Sequence, residues 1–156
     1  MSGYKPQNPD FAKRVGDSFT RQQFMNFLAA RITAVEPGAV DIELDHREEL
    51  CQQHGLFHGG VVGTLADNAG GYASFSLMRA EDSVLTVEYK LNLIAPAQGD
   101  RLIARGRVIR AGRRLTVSRS DVYATADGKE THCATMLGTF MTMQDISDSR
   151  LETAGG

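Results

Sequence analysis

A carboxylate and a pair of glycines in residues 54–75 have the types and spacing needed for acyl transfer. Apolar residues recur there at helical spacing, and Asp67 falls near the middle of the segment. Gly59 and Gly60 stand where this helix begins, so we expect their N–H groups to be unpaired donors at the positive end of the helix dipole. Unpaired amides bind a carbonyl oxygen, and a carboxylate acts as base or nucleophile. The alternative is that Asp67 simply faces solvent.

The spacing of these groups has a consequence for assembly. Gly59 and Asp67 are eight residues apart, roughly 12 Å along one helix at 1.5 Å per residue. Both groups must come within about 3 Å of the reacting atoms to act on them. Two antiparallel helices across a two-fold axis would place Gly59 of one subunit beside Asp67 of the other. We therefore expect a homodimer at minimum.

Three polar residues around these groups are candidate helpers. Gln52 lies in the loop before the helix, and its neutral amide could hold a water molecule or the carbonyl. We expect His58 to orient the glycine loop. Thr86, in the strand that follows the helix, is placed to hydrogen-bond Asp67 or a water.

Two other chemistries are weaker hypotheses. His54 and His58 suggest a metal site. The intervening glycine argues against a regular helical pair of histidines, and no third ligand is evident, so we expect no metal. Cys51 lacks the orienting third group that a thiol nucleophile needs. Cys51 and Cys133 form no CxxC pair, and we expect both to be free thiols.

Composition narrows the class of protein. The 156 residues suit one domain, and a net charge of −2 argues against a nucleic-acid binder. No apolar run is long enough to cross a bilayer, and the first residues lack the apolar core of a signal peptide, so we expect a cytoplasmic protein without a membrane partner. We divide the chain into an N-terminal extension (1–16), a single domain (17–145) and a polar C-terminal tail (146–156).

Positive charge is concentrated between Arg101 and Arg119, where all seven basic residues are arginines. One interpretation is the solvated outer face of two strands. The other is a local anion site on a mildly acidic protein, suited to a phosphorylated small molecule.

The periodicity around the glycine-rich helix predicts a sheet. Residues 17–30 are predicted as a first helix, capped by Asp17 or Ser18, with Phe24, Phe27 and Leu28 on one face. Alternation and turn residues predict six strands, at 31–35, 40–44, 83–93, 101–109, 115–124 and 131–143. In the third strand the odd-numbered residues form an apolar face: Leu85, Val87, Tyr89, Leu91 and Leu93.

This order of elements indicates an α+β fold in which a curved antiparallel sheet wraps around one long central helix. The glycines of that helix then have a purpose. Gly63, Ala66, Gly70 and Ala73 recur three or four residues apart and form a stripe of small residues. Such a stripe lets the helix lie close to a sheet or to a partner helix.

The pattern Gln52-x5-His58-Gly59-Gly60-x6-Asp67-Asn68, followed by a strand ending in LNLIAPA, resembles the hotdog-fold acyl-CoA thioesterases. It is most similar to the phenylacetate-pathway (PaaI-like) branch of the 4-hydroxybenzoyl-CoA thioesterase superfamily. The resemblance covers about residues 24–143. It implies a hotdog fold with an additional N-terminal helix, assembled as dimers or dimers of dimers. The implied activity is hydrolysis of an acyl- or aryl-CoA to free acid and CoA without a cofactor.

The resemblance also implies roles for individual residues. Asp67 matches the catalytic acid, Gly59 the amide that polarises the thioester carbonyl, Gln52 a group that positions water or substrate, and Thr86 a hydroxyl near the acid. His58 belongs to the motif as an orienting group. The residues expected to contact substrate, the basic ones through the phosphates of CoA, are Gly60, Asn68, Lys90, Arg110, Arg113 and Arg114.

One departure from the family pattern concerns a hydroxyl that some relatives carry one turn after the acid, where this chain has Gly70 and Gly71. Two other functions stay open. The same fold serves as a non-catalytic acyl-CoA-binding module, and as an enoyl-CoA hydratase or dehydratase.

Overall fold

The computed structural model describes residues 3–146 and 148. In chain order the elements are α1 (Phe11–Arg21), α2 (Gln23–Leu28), β1 (Arg31–Glu36), β2 (Ala39–Asp45), a 3-10 turn (Glu48–Leu50), α3 (Gly59–Phe75), β3 (Ser83–Leu93), β4 (Arg101–Ala111), β5 (Leu115–Ala126) and β6 (Lys129–Met143). The six strands form one antiparallel sheet in the order β1-β2-β4-β5-β6-β3. This is the predicted hotdog architecture, with β1 and β3 at the edges.

Helix α3 lies against the sheet along its stripe of small residues, as predicted. Ala66 and Ala73 are fully buried, and a side chain on Gly70 would come within about 3 Å of Met136 in β6. The tightest contact comes from the strand side, because a Cβ on Gly106 of β4 would lie 2.1 Å from a backbone oxygen of α3. Close helix–sheet packing therefore depends on glycine in both elements.

The N-terminal helix differs from the prediction. It begins at Phe11, inside the segment predicted as an extension, and it is broken at Gln22, whose backbone is extended (φ −74°, ψ 101°). The break resets the helical phase, so Met25 and Leu28 are buried while Phe24 (57 % exposed) and Phe27 (71 % exposed) face outward. The predicted common face of the two phenylalanines with Leu28, and the predicted cap at Asp17 or Ser18, are wrong.

Strand β3 contains a bulge that the alternating pattern did not reveal. Thr86 pairs with Phe140 and Glu88 with Thr139 of β6, so Val87 is an extra residue between two regular pairs. An extra residue reverses the inward–outward alternation from that point onward.

The bulge places Thr86 on the helix-facing side together with Tyr89, Leu91 and Leu93. Thr86 hydrogen-bonds a residue of α3, while Leu91 and Leu93 contact the positions of Gly63 and Gly59. The prediction that one face of β3 carries all the odd-numbered residues, with Thr86 opposite, is therefore wrong for the first part of the strand.

The predicted polar tail falls almost entirely outside the described residues. Of that tail, Asp148 is described: its carboxylate lies 3.2 Å from Arg21 and accepts a 2.7 Å hydrogen bond from the Ser83 hydroxyl. Among the described helices, none combines the length and apolar character needed to cross a membrane.

Candidate active site

Asp67 lies on α3 and lines a cavity of about 300 Å³. Its carboxylate accepts a 2.9 Å hydrogen bond from the hydroxyl of Thr86, which the bulge in β3 turns toward the helix. Asn68 and Gly71, from the next turn of α3, line the same cavity. The structure thus brings together three of the residues singled out from the sequence: the acid, the hydroxyl and Asn68.

The environment makes Asp67 more basic than an ordinary aspartate. Burial raises the pKa of its carboxyl, because water no longer stabilises the charged form well, and the hydrogen bond from Thr86 opposes this only in part. A carboxylate with a raised pKa is a better proton acceptor, which suits a general base.

The N-terminus of α3 presents one open amide. His58 caps the helix: its Nδ1 accepts a 2.9 Å hydrogen bond from the Gly60 N–H, and its carbonyl accepts from Val61 and Val62. The Gly59 N–H makes no hydrogen bond with any described residue. The prediction of two unpaired amides is therefore wrong for Gly60, because the imidazole of His58 occupies that donor.

Gln52 lies beside the open amide. Gln52 and Gly59 line a second cavity, of about 190 Å³. The Oε1 of Gln52 accepts a 2.8 Å hydrogen bond from the His54 N–H, which fixes the orientation of the side chain. Its Nε2 then remains as a donor. Two donors, one backbone and one side-chain, thus face one cavity, as an oxyanion-binding site requires.

Within one chain, the acid and the amide donors are apart. The cavity beside Asp67 and the cavity beside Gly59 share no lining residue. The two residues stand on the same helix, separated by eight positions and thus by roughly 12 Å. Within one chain, the carboxylate and the open amide therefore line separate cavities.

The remaining polar residues predicted to contact substrate lie elsewhere or have partners. Asn68 donates through Nδ2 to the Thr64 carbonyl at 3.1 Å, which leaves its Oδ1 open. Lys90 is exposed and stands between Tyr89 and Leu91, so it points to the sheet face away from α3.

The arginine-rich segment divides into two groups. Arg101, Arg105, Arg107 and Arg119 form ion pairs with carboxylates of the same sheet. Arg110, Arg113 and Arg114, at the β4–β5 hairpin, make no ion pair within the described part of the chain. Each of the two interpretations of this segment thus fits a different subset: four arginines belong to a solvated face, and three are available to an anion.

Cys51, which the sequence offered as a weak nucleophile candidate beside a histidine, contacts His46 near the second cavity. The Sγ of Cys51 is 3.1 Å from the Nε2 of His46, whose ring packs edge-on against Phe57. Burial and the charge of Glu48 raise the pKa of the Cys51 thiol, so the thiolate is disfavoured and the pair is not an activated nucleophile. In the residues that the structure describes, no three His, Cys, Asp or Glu side chains cluster as metal ligands would.

The sequence also gave no indication of Ser18 and Gln22, which line the cavity beside Asp67 together with Tyr72. Both come from the N-terminal helices, where they looked like any other polar residue of an amphipathic pattern. The segment turns toward the site at the break at Gln22. No proline or glycine marks that break in the sequence.

Comparisons with known proteins show which family the chain is similar to. The family model of the Thioesterase superfamily matches residues 54–131. A protein named as an esterase from Saccharolobus solfataricus is 31 % identical over 85 % of this chain and 86 % of its own length. Human acyl-coenzyme A thioesterase 13 is 28 % identical over 75 % of this chain and 85 % of its own. The crystal structure of a thioesterase family protein from Silicibacter pomeroyi superposes with a TM-score of 0.85 at 46 % identity, covering 86 % of this chain and 98 % of that one.

Proposed function

The chain belongs to the Thioesterase superfamily and is a thioester hydrolase, and we propose that it hydrolyses an acyl-CoA to the free acid and CoA. The observation that carries this proposal is the presence on one helix of a partly buried carboxylate with a raised pKa, Asp67, and an open backbone amide, Gly59. Similarity to an acyl-coenzyme A thioesterase supports the choice of CoA ester.

The chemistry follows from these groups. The Gly59 N–H and the Gln52 Nε2 would donate to the thioester oxygen, so that charge can build on it. The Asp67 carboxylate would accept a proton from a water held near the Thr86 hydroxyl, and the water oxygen would bond to the carbonyl carbon. Collapse of the tetrahedral adduct then breaks the carbon–sulfur bond, and the proton on Asp67 goes to the departing CoA sulfur. A direct attack by Asp67, followed by hydrolysis of the anhydride, uses the same residues.

A second copy of the chain would complete the site. Strand β3 is an edge of the sheet and carries exposed apolar residues that include Leu85, Val87 and Leu93. Open backbone groups and apolar side chains on one edge favour pairing with another strand. Pairing across a two-fold axis would run the two α3 helices antiparallel and set Gly59 of the partner subunit against Asp67. Further association into a dimer of dimers is compatible with this arrangement.

The phosphates of CoA need cations, and Arg110, Arg113 and Arg114 are the arginines of their segment without an ion pair among the described residues. We assign the phosphates to these three side chains, with Lys90 as a further candidate. The chemistry above uses no metal or redox cofactor. The cytoplasmic location and the absence of nucleic-acid and membrane partners stay predictions from the sequence.

The test is release of free thiol from a panel of acyl-CoAs of different chain types, with Asp67→Ala beside the wild type. We expect a loss of about 10²-fold or more. Glu36→Gln, which removes an exposed carboxylate on the opposite sheet edge, is the control and should change little. Near-normal turnover by Asp67→Ala would contradict the proposal. Product analysis decides against the binding-module and hydratase alternatives, since only hydrolysis releases thiol.

Mixing two inactive variants tests the shared site. Asp67→Ala lacks the base, and Gly59→Pro lacks the amide hydrogen. A heterodimer of the two contains one intact site and one doubly defective site, so random reassortment of equal amounts should restore about a quarter of wild-type activity. No recovery in a mixture shown to contain heterodimers would place both groups in the same subunit's site.

A further inference from the structure

The cavity beside Asp67 is bordered by the N-terminal segment. Its lining includes Ser18 of α1, Gln22 at the helix break and Tyr72 of α3, and we term these three residues the distal end. Tyr72 lies five residues beyond Asp67, roughly 7–8 Å farther along the helix axis. The cavity therefore runs from the reacting carboxylate to a polar wall.

The hydrogen bonds of the distal end leave one acceptor open. The Nε2 of Gln22 donates to the Tyr72 hydroxyl at 2.6 Å. The hydroxyl of Tyr72, a residue that is almost fully buried, also shares a 3.1 Å hydrogen bond with Ser18 Oγ. The Oε1 of Gln22 makes no hydrogen bond with any described residue. An amide oxygen is a hydrogen-bond acceptor. A ligand that covers it without offering a donor removes its water and leaves it unpaired.

Charge at the distal end is already balanced. Asp148 lines the same cavity, and its carboxylate is bound by Arg21 and by the Ser83 hydroxyl. A ligand carboxylate placed here would meet this carboxylate at short range, which is unfavourable. The group that fits the open Gln22 Oε1 is therefore a neutral donor, and a hydroxyl is the simplest one.

We infer that the distal end is a specificity subsite for a short acyl group that carries a hydroxyl at its far end, which donates to Gln22 Oε1. The inference rests on the proposed function, because it seats the acyl group in the cavity beside Asp67. The span from Asp67 to Tyr72 matches an extended chain of about six atoms, given zigzag bonds of about 1.5 Å.

A matched pair of substrates tests the subsite. 6-Hydroxyhexanoyl-CoA and heptanoyl-CoA have the same length and differ by a hydroxyl in place of a methyl. We expect kcat/KM of the wild type to favour the hydroxylated ester by about tenfold, because the methyl group leaves Gln22 Oε1 unpaired. Gln22→Met keeps the length of the side chain without its amide and should abolish the preference. Gln23→Met, at the exposed neighbouring position outside the cavity, should retain it.

The outcomes separate the subsite from the activity. Equal kcat/KM of the wild type for both esters, or an undiminished preference in folded Gln22→Met, overturns the subsite while heptanoyl-CoA still reports hydrolysis. Should Gln22→Met fail to fold, Tyr72→Phe, which removes the hydroxyl that holds Gln22, should weaken the preference, and an unchanged preference overturns the subsite. Thiol release from neither ester by the wild type overturns the proposed function and the subsite together.

Discussion

The Thr86 hydroxyl donates a 2.9 Å hydrogen bond to the Asp67 carboxylate across the contact between an edge strand and the central helix. Burial raises the pKa of Asp67, and this bond lowers it. One neighbour thus moderates the basicity of the group that we assign to proton transfer, and both effects can be measured.

The first prediction concerns pH. Hydrolysis by this route needs the Asp67 carboxylate, so kcat/KM should fall as the pH drops through its pKa, which lies above the usual aspartate range. Thr86→Val removes a bond that favours the charged form and should move the acid limb to still higher pH. Thr131→Val, at an exposed position of β6, should leave it in place. An acid limb that does not move in Thr86→Val would show that the limb reports another group.

The second prediction concerns stability. Because the pKa of Asp67 is higher in the folded protein than in the unfolded chain, its effect on stability is fully favourable below the unfolded pKa and is lost as the pH rises through the folded pKa. Asp67→Asn should therefore raise Tm near neutral pH, by about 2–4 °C. The gain should shrink in scans at progressively lower pH. A gain that is equal at every pH would instead point to packing.

The third prediction isolates a single N–H. Proline is well tolerated at the first position of a helix, and His58, with φ −62° and ψ 137°, already has the backbone that precedes proline. Gly59→Pro should therefore fold, and it should lose about 10²–10³-fold in kcat through the missing oxyanion donor.

The matched control is Gly59→Ala, which keeps the N–H and brings the same crowding against the flexible end of Leu93. It should retain most of its activity. An equal loss of kcat in the alanine and proline variants would assign the effect to crowding rather than to the amide.

The fourth prediction concerns the unpaired arginines. Replacing Arg113 and Arg114 together by glutamine should raise KM for an acyl-CoA several-fold at low salt, and less at high salt because the charges are screened. The KM for the same acyl group on N-acetylcysteamine, which has no phosphates, should not change. Arg107→Gln, at an arginine paired with Asp41, is the control. A KM rise that is the same for both thioesters would rule out phosphate binding.

The fifth prediction concerns glycine packing. Gly106→Ala would force a methyl group to 2.1 Å from the backbone of α3 and should lower the free energy of unfolding by about 3 kcal/mol or more. Gly16→Ala, in α1 with open space around the added methyl, should raise it by about 0.5–1 kcal/mol. Denaturant titrations measure both. A tolerated Gly106→Ala would mean that the helix and sheet can separate without cost.

The sequence predicted the strands and the central helix well, because their patterns are local. The alternation in residues 115–124 and the glycine-rich start at Gly59 both correspond to observed elements. The break at Gln22 was not predictable, since the polar and apolar residues on either side continue one helical period. No proline or glycine adjoins Gln22 to mark the break in the sequence.

The candidate site also divides into features that were predictable from the sequence and features that were not. Asp67, Gly59 and Gln52 were identified from residue type and position, and the structure places the last two at one cavity. The His58 ring accepts the hydrogen bond of the Gly60 amide. This contact depends on a side-chain conformation, which the spacing of residues does not determine. The separation of the arginines into paired and unpaired groups depends on the register between strands, which spacing does not determine either.

The bulge at Val87 makes the placement of the Thr86 hydroxyl depend on the number of residues in β3 rather than on residue type alone. Deleting that one residue would restore strict alternation and turn Thr86 to the opposite side of the sheet, with every side chain of the site still present in the sequence. An alignment alone will therefore misplace this hydroxyl in a related sequence wherever an insertion or deletion changes the number of residues in the strand from odd to even or from even to odd. In this enzyme the extra residue at Val87 is as important for the position of the hydroxyl as the threonine itself.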